Sequence, residues 1–240
     1  MLPWHEIDTV FLDAGNTLVS MDVVLLCEVV ASHGIACTPD TLARAEAAAR
    51  PALSRFLAGP STDWPDTFTF YVRSILEALG GAAAAARGML APRLASEIRR
   101  GVGTQRLWSH VLPGVPDALR ELRAAGVTLA VVSNSDGTVE QGLIATGLRP
   151  YLHHVVDSAI VGVEKPDPRI FQHALGCAGC VPERALHVGD LYAVDVVGAR
   201  AAGLHALLLD PYGDWGDADC ERAPDVAAVA RRLVAASPPS

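Results

Sequence analysis

The chain is 240 residues long and half apolar, with 19 basic against 27 acidic residues and a formal charge of -8 at neutral pH. That length buries a sizeable core, either one large domain or a core with a smaller insertion. The acidic balance, without a basic stripe or patch, excludes the electrostatic footprint of a nucleic-acid binder.

The segment from Met1 to Glu6 lacks the basic and apolar stretches of a secretory signal, and no run approaches the roughly 18 apolar residues of a membrane span. A cytoplasmic protein without a membrane partner is expected. A short buried strand is predicted over Ile7–Asp13, after which the pattern turns helical as far as residue 101. Helices are expected over Asp22–Ser32, Pro39–Leu57, Asp66–Leu79 and Ala91–Gly101, with breaks at His33-Gly34, Gly59-Pro60 and Gly80-Gly81. The Ala82–Ala86 run is a compositional bias that favours helix. Trp64, Phe68, Phe70 and Tyr71 fit a helix core as well as an apolar lining. Arg44, Arg50, Arg55 and Arg73 are expected to be solvated.

From Val115 onward helix and strand alternate. Helices are predicted over Val115–Ala125, Thr138–Thr146, Asp167–Gly176 and Asp195–Ala202, interleaved with strands over Val127–Ser133, His154–Asp157, Arg184–Val188 and His205–Leu209. A last helix spans Ala223–Ala236. This alternation marks an α/β fold with a parallel sheet wound on both faces. It sets Asp13, Ser133 and Asp190 at carboxyl ends of strands, where open α/β sheets bind ligands. Residues 1–19 and 108–240 would form a Rossmann-like core domain, and residues 20–107 an inserted α-helical cap domain, a lid over its mouth. Five cysteines, an odd number without framework spacing, are expected to be reduced thiols. Cys177 and Cys180 have the gap of a zinc or redox pair, but no second pair accompanies them.

Only one of the 19 basic residues is a lysine, Lys165. Arginine serves solubility equally well, so a lone lysine suggests a site that needs a compact point charge near anionic oxygens. Three segments can supply the remainder: Asp13-Ala14-Gly15-Asn16-Thr17-Leu18, Ser133-Asn134, and Gly189-Asp190 with Asp195. Together with Lys165-Pro166-Asp167-Pro168 they stand in the order of the haloacid dehalogenase-like (HAD) hydrolase superfamily. The chain resembles its subfamily I branch, whose helical C1-type cap lies between the first and second motifs.

The resemblance implies a phosphoric monoester hydrolase acting on a small phosphorylated metabolite, as a monomer or homodimer. Asp13 would be the nucleophile, forming an aspartyl-phosphate that water hydrolyses. Mg2+ would be held by the Asp13 carboxylate, the Gly15 carbonyl and Asp190. Asp195 would orient a bound water or Lys165. Thr17, Ser133, the Asn134 backbone N–H and Lys165 would bind the phosphoryl group, with Ser133 and Lys165 also aiding the transfer. His187 is read as a packed core histidine.

One departure stands out. Family phosphatases carry a second aspartate, the general acid, two residues after the nucleophile, and this chain has Gly15. The expected metal ligand there is a backbone carbonyl, which glycine keeps, but proton transfer worth about 10² to 10⁴ in rate is lost. Candidate substitutes are Asp136 and Asp22, then His33, Asp63 and Asp66. The change also admits an inactive ligand-binding protein or another chemistry of the family. Phosphonoacetaldehyde hydrolases need a cap lysine that residues 20–107 lack. Dehalogenases place an aromatic residue in the first motif, where Gly15 stands.

Overall fold

Segments such as Val10-Phe11-Leu12, apolar at every position, are stable only inside a sheet covered on both sides. The structure, a computed structural model, describes residues 2–59, 64–101 and 104–236, apart from the side chains of 64–66 and 104–105. Asp63, Asp66 and the Trp64 ring therefore lie outside the described residues. The strands are β1 Thr9–Leu12, β2 Val19–Ser20, β3 His110–Val111, β4 Thr128–Ser133, β5 His154–Asp157, β6 Ala185–Gly189, β7 His205–Leu209 and β8 Glu221–Ala223. The first helices are α1 Val23–Ser32, α2 Pro39–Leu57, α3 Trp64–Leu79, α4 Gly81–Gly101 and α5 Thr104–Leu107. They are followed by α6 Val115–Ala124, α7 Val139–Ala145, α8 Ser158–Val161, α9 Pro168–Ala178, α10 Val197–Ala201 and α11 Val226–Ala236. By contacts the chain divides into two units, Met1–Ser20 with Ser109–Ser240, and Met21–Trp108.

In the first unit a parallel sheet runs in the order β5-β4-β1-β6-β7-β8. Phe11, Ala130, Val132, Val156 and Leu208 pack with Ile170, Phe171 and Ala174 of α9 and with Val196 and Ala199. The intervening Val10, Leu12, Leu129, Val131, Val188 and Leu207 are also fully buried, so both faces of the sheet are covered. The chain leaves β1 towards β4 and β5, then returns to the opposite side through β6 and β7. That reversal makes the carboxyl ends of β4, β1 and β6 a topological switch point.

Several details differ from expectation. β1 stops at Leu12, leaving Asp13 just beyond the strand. The edge strand β8 and the antiparallel β2–β3 pair had no sequence signal, being only three and two residues long. The helix expected from Asp195 is split. Tyr192–Val196 forms a π-turn ahead of α10, and the Asp195 carboxylate accepts from Leu191 N at 2.9 Å inside it.

In the second unit α2 packs on α3, α3 on α4, and α1 on both α2 and α4. Thr38 opens α2 with a reciprocal capping box to Thr41. α4 begins at Gly81, not Ala91, and continues through Pro92. The alanine run has the highest helix propensity, and Ala83, Leu90, Ala91, Leu94, Ala95 and Ile98 keep one face buried along the whole length. Arg50 is likewise not solvated: it is 7% exposed, with Nε and Nη2 donating to Glu46 at 2.8 and 2.6 Å. Tyr71 OH also donates to Glu46. Phe68 and Tyr71 belong to the helical core, and Phe70 stacks on Phe56 at 4.0 Å.

Candidate active site

Register sets the site. β1 pairs with β4 at Leu12 and Val131 and with β6 at Leu12 and Val188, so the chain emerges from three adjacent strands at Asp13, Ser133 and Asp190. Asp13 N still donates to Val188 O at 2.9 Å, holding the first residue beyond β1 against β6. All three side chains are buried.

Lys165 reaches this point from the loop before α9. Its Nζ donates to Asp13 Oδ1 and to Asp195 Oδ1, each at 2.7 Å, and the residue is 4% exposed. Asn134 fixes the Lys165 backbone from both sides: Lys165 N donates to Asn134 Oδ1 at 2.7 Å, and Asn134 Nδ2 donates to Lys165 O at 2.9 Å. Sequence reasoning assigned Asn134 only a backbone role and missed this clamp. Two glycines permit the approach. A Cβ on Gly189 would lie 2.2 Å from Asp195 Cγ, and one on Gly198 would lie 2.8 Å from Pro166 Cα. Any side chain at either position would push the loop of Lys165 or the turn of Asp195 away.

His187, expected to be core packing, is that and more. Its ring meets Phe171 edge-on at 4.9 Å, while Nε2 lies 3.0 Å from Asp195 Oδ1. Asp195 accepts from Lys165 on the same oxygen, and a carboxylate offers no proton, so Nε2 carries the hydrogen. Nδ1 is buried without a hydrogen-bond partner among the described residues. The pairing could not be read from residue type, because only the π-turn brings position 195 back to the strand carrying position 187.

The electrostatics follow from burial. Desolvation pushes the Asp13 carboxyl above its ordinary value against the pull of Lys165, with the Asp195 charge adding to the rise. Burial would also raise Asp195, but the Lys165 charge and the His187 hydrogen bond hold it well below the carboxylate range. Burial alone would depress Lys165, yet Asp13 and Asp195 hold its ammonium above the usual lysine value. Desolvation lowers His187, keeping it neutral.

Around this centre, Asp157 at the end of β5 accepts from Gly137 N at 3.1 Å, Val139 N at 3.3 Å and Ala159 N at 3.0 Å. Ser158 Oγ bridges to Ser135 N and O at 3.1 and 3.2 Å. Together they shape the loop following Ser133, and neither was singled out in the sequence. Thr17 is 1% exposed, and its hydroxyl has no hydrogen-bond partner among the described residues.

Of the substitutes considered for the missing acid, Asp136, Asp22 and His33 are already engaged. Asp136 Oδ1 accepts from Thr138 N and Oγ1 at 3.2 and 2.6 Å. Asp22 caps α1 by accepting from Leu25 N at 3.0 Å, and His33 pairs with Glu97 at 2.9 Å. The five cysteines are free thiols, and Cys177 and Cys180 belong to no group of three metal-binding side chains among the described residues.

The sequence profile of haloacid dehalogenase-like hydrolases matches residues 7–203. Haloacid dehalogenase-like hydrolase domain-containing protein 3 of Homo sapiens is 48% identical over 100 residues, 42% of this chain and 40% of that protein. Phosphoserine phosphatase of Thermus thermophilus is 35% identical over 139 residues, 58% of this chain and 52% of that protein. The chain spans about half the length of these curated relatives. Among solved structures, a HAD phosphatase from Thermococcus onnurineus superposes with a TM-score of 0.60 over 96% of this chain and 99% of its own, at 23% identity, a likeness of fold.

Proposed function

Because the chain belongs to the haloacid dehalogenase-like hydrolases, we propose that it is a magnesium-dependent phosphatase of small phosphorylated metabolites that works through an aspartyl-phosphate on Asp13. One observation carries this reading. The buried carboxylates of Asp13, Asp190 and Asp195 gather at the strand ends, and the Lys165 ammonium donates to two of them, Asp13 and Asp195. Carboxylates gathered in this way suit a divalent cation, and burial raises the Asp13 pKa at the place where the charge of that cation would be felt.

The donor set fits magnesium. Among the described residues no three His, Cys, Asp or Glu side chains form a ready cage. Magnesium asks for less, since it keeps several waters and binds through one or two carboxylates plus phosphate oxygens. Asp13, Asp190 and the Gly15 carbonyl would hold it. Bound there, it would offset the charge of the nucleophile and polarise the phosphoryl group.

In this reading Asp13 attacks phosphorus and water later cleaves the acyl phosphate. Lys165 stays protonated throughout and neutralises the nucleophile and the transferring oxygens. Asp195 and the Asn134 clamp keep it aimed, and neutral His187 steadies Asp195 without adding charge. Ser133, the Asn134 backbone N–H and the Thr17 hydroxyl would hold phosphate oxygens. Residues 1–19 with 108–240 would serve as the core domain and 20–107 as the cap domain. The phosphatase name of the Thermus relative supports a phosphorylated substrate.

Gly15 restricts the chemistry. Without the second aspartate the leaving group departs unprotonated, so aryl and acyl phosphates suit the site better than alkyl esters. The same residue favours a second reading, a phosphoryl-binding protein that has lost turnover. Hydrolysis of p-nitrophenyl phosphate with and without magnesium, with Asp13→Asn as the control, decides between them. Magnesium-dependent turnover lost in Asp13→Asn supports the enzyme, while no turnover on so activated an ester supports the binder.

A further inference from the structure

We propose that Asn16 is a positioning residue that holds the Asp190 carboxylate ready for a divalent cation, an inference that rests on the magnesium reading above. After β1 the chain reverses sharply. Leu18 N and Val19 N both donate to Ala14 O, at 2.9 and 3.0 Å, and Asn16 N donates to Val19 O at 2.6 Å. The reversal needs one left-handed residue, and that residue is Asn16, with φ 52°. No other non-glycine among the described residues has a positive φ, and Gly15 is not among the glycines that do.

Glycine would take this conformation without strain, and a side chain there costs conformational energy. Asparagine is among the best tolerated non-glycine residues in this region, and its amide supplies a contact that glycine cannot. Asn16 Nδ2 donates to Asp190 Oδ2 at 3.1 Å, across 174 residues of sequence, and Asn16 is only 7% exposed. The turn after β1 is thereby tied to the end of β6.

The chemistry of the donor matters. A neutral amide orients the carboxylate without setting a charge of its own against it. Lysine or arginine at this place would neutralise Asp190. Aspartate would set two carboxylates at hydrogen-bond distance, so that one would take up a proton. A neutral, short, left-handed donor meets all three demands, and hydrogen bonds of this kind to ligating carboxylates typically change metal affinity by about 10- to 100-fold.

The test is titration calorimetry of magnesium alone into the full chain, comparing wild type, Asn16→Gly and Asp190→Asn, with a thermal melt of each in magnesium-free buffer. Asn16→Gly allows the same left-handed backbone conformation and removes the amide that donates to Asp190. The expected result is binding by wild type, none by Asp190→Asn, and an affinity at least about tenfold weaker in Asn16→Gly. Equal affinities in wild type and Asn16→Gly overturn the role of Asn16 and leave the metal site standing, as does a lower melting temperature with unchanged affinity. No binding by wild type removes the metal reading and this inference with it.

Discussion

Glu46 and Arg50 in the helical unit, and Lys165 with its aspartates in the sheet unit, are all withdrawn from water, yet the two groups are built to different ends. Glu46 accepts from Nε and Nη2 of Arg50 and from the Tyr71 hydroxyl, so a buried ion pair is held together by hydrogen bonds within the helical unit. At the strand ends, Lys165 is divided between Asp13 and Asp195, and Asp190 adds a further carboxylate. The first arrangement ties α2 to α3. The second gathers carboxylates where the sheet ends, at the proposed cation site. Burial of charge alone therefore says little about function, whereas carboxylates gathered at a switch point say more.

The sharpest way to break this contrast is at Asp13, the proposed nucleophile. Asp13→Asn should abolish turnover while leaving the melting temperature equal or higher, because the carboxyl removed is one that burial disfavours ionising. A variant that loses both activity and stability would show that Asp13 belongs to the structural kind.

Restoring the missing proton donor comes next. The left-handed step of the turn falls on Asn16 and not on Gly15, so the local backbone accepts a side chain at 15. Gly15→Asp should raise turnover of alkyl phosphates by about 10² to 10⁴, with a smaller gain on aryl phosphates, measured as kcat on both substrates. Equal gains on both would mean that the aspartate acts on the phosphoryl group and not on the leaving oxygen.

In the helical unit, Arg50→Met should destabilise by about 3–5 kcal/mol, because it removes the guanidinium that donates twice to the buried Glu46 carboxylate. The double change Glu46→Leu with Arg50→Met should recover most of that loss in a denaturant titration. The corresponding apolar exchange of Lys165 and Asp195 should give an inactive protein whether or not it folds well. Recovery of activity there would erase the distinction.

The smallest effect is a pH dependence. Burial lowers the pKa of His187 from its ordinary 6.5, so the folded protein binds fewer protons than the unfolded chain as the pH drops below that value. Stability is complete above it and falls as the pH descends towards the folded pKa, by at most about 1.4 kcal/mol per pH unit. His187→Gln keeps a donor for Asp195 and should flatten this part of the melting curve's pH dependence. An unchanged slope would place the proton uptake elsewhere.

Much of the sheet unit could be read directly from residues. Asp13, Ser133 and Asp190 end apolar runs, and the solitary Lys165 stood out against arginine, because strand ends and residue choice are local properties. What stayed hidden was joined over distance. Asn134 grips the Lys165 peptide across 31 residues, and Asp157 draws together the turn at 137–139 only because β5 lies beside β4. In the helical unit the clue was present but unread. Leu42, Glu46, Arg50 and Leu53 share one face of α2, so a charged pair at i and i+4 sat in line with buried leucines. The long α4 begins at Gly81 and not at Ala91, because the helix-favouring alanines ahead of Ala91 continue its buried face from Ala83.

The solitary lysine has a practical corollary. Apart from the α-amino group of the chain, Lys165 Nζ is the only primary amine that the sequence offers, and it sits 4% exposed between two carboxylates. Amine-acylating reagents need a free, deprotonated nitrogen, so the folded protein should resist them at this side chain. Acylation of Lys165, followed by mass spectrometry, would then time how often the strand ends open to water, a residue-specific clock that the native sequence already carries.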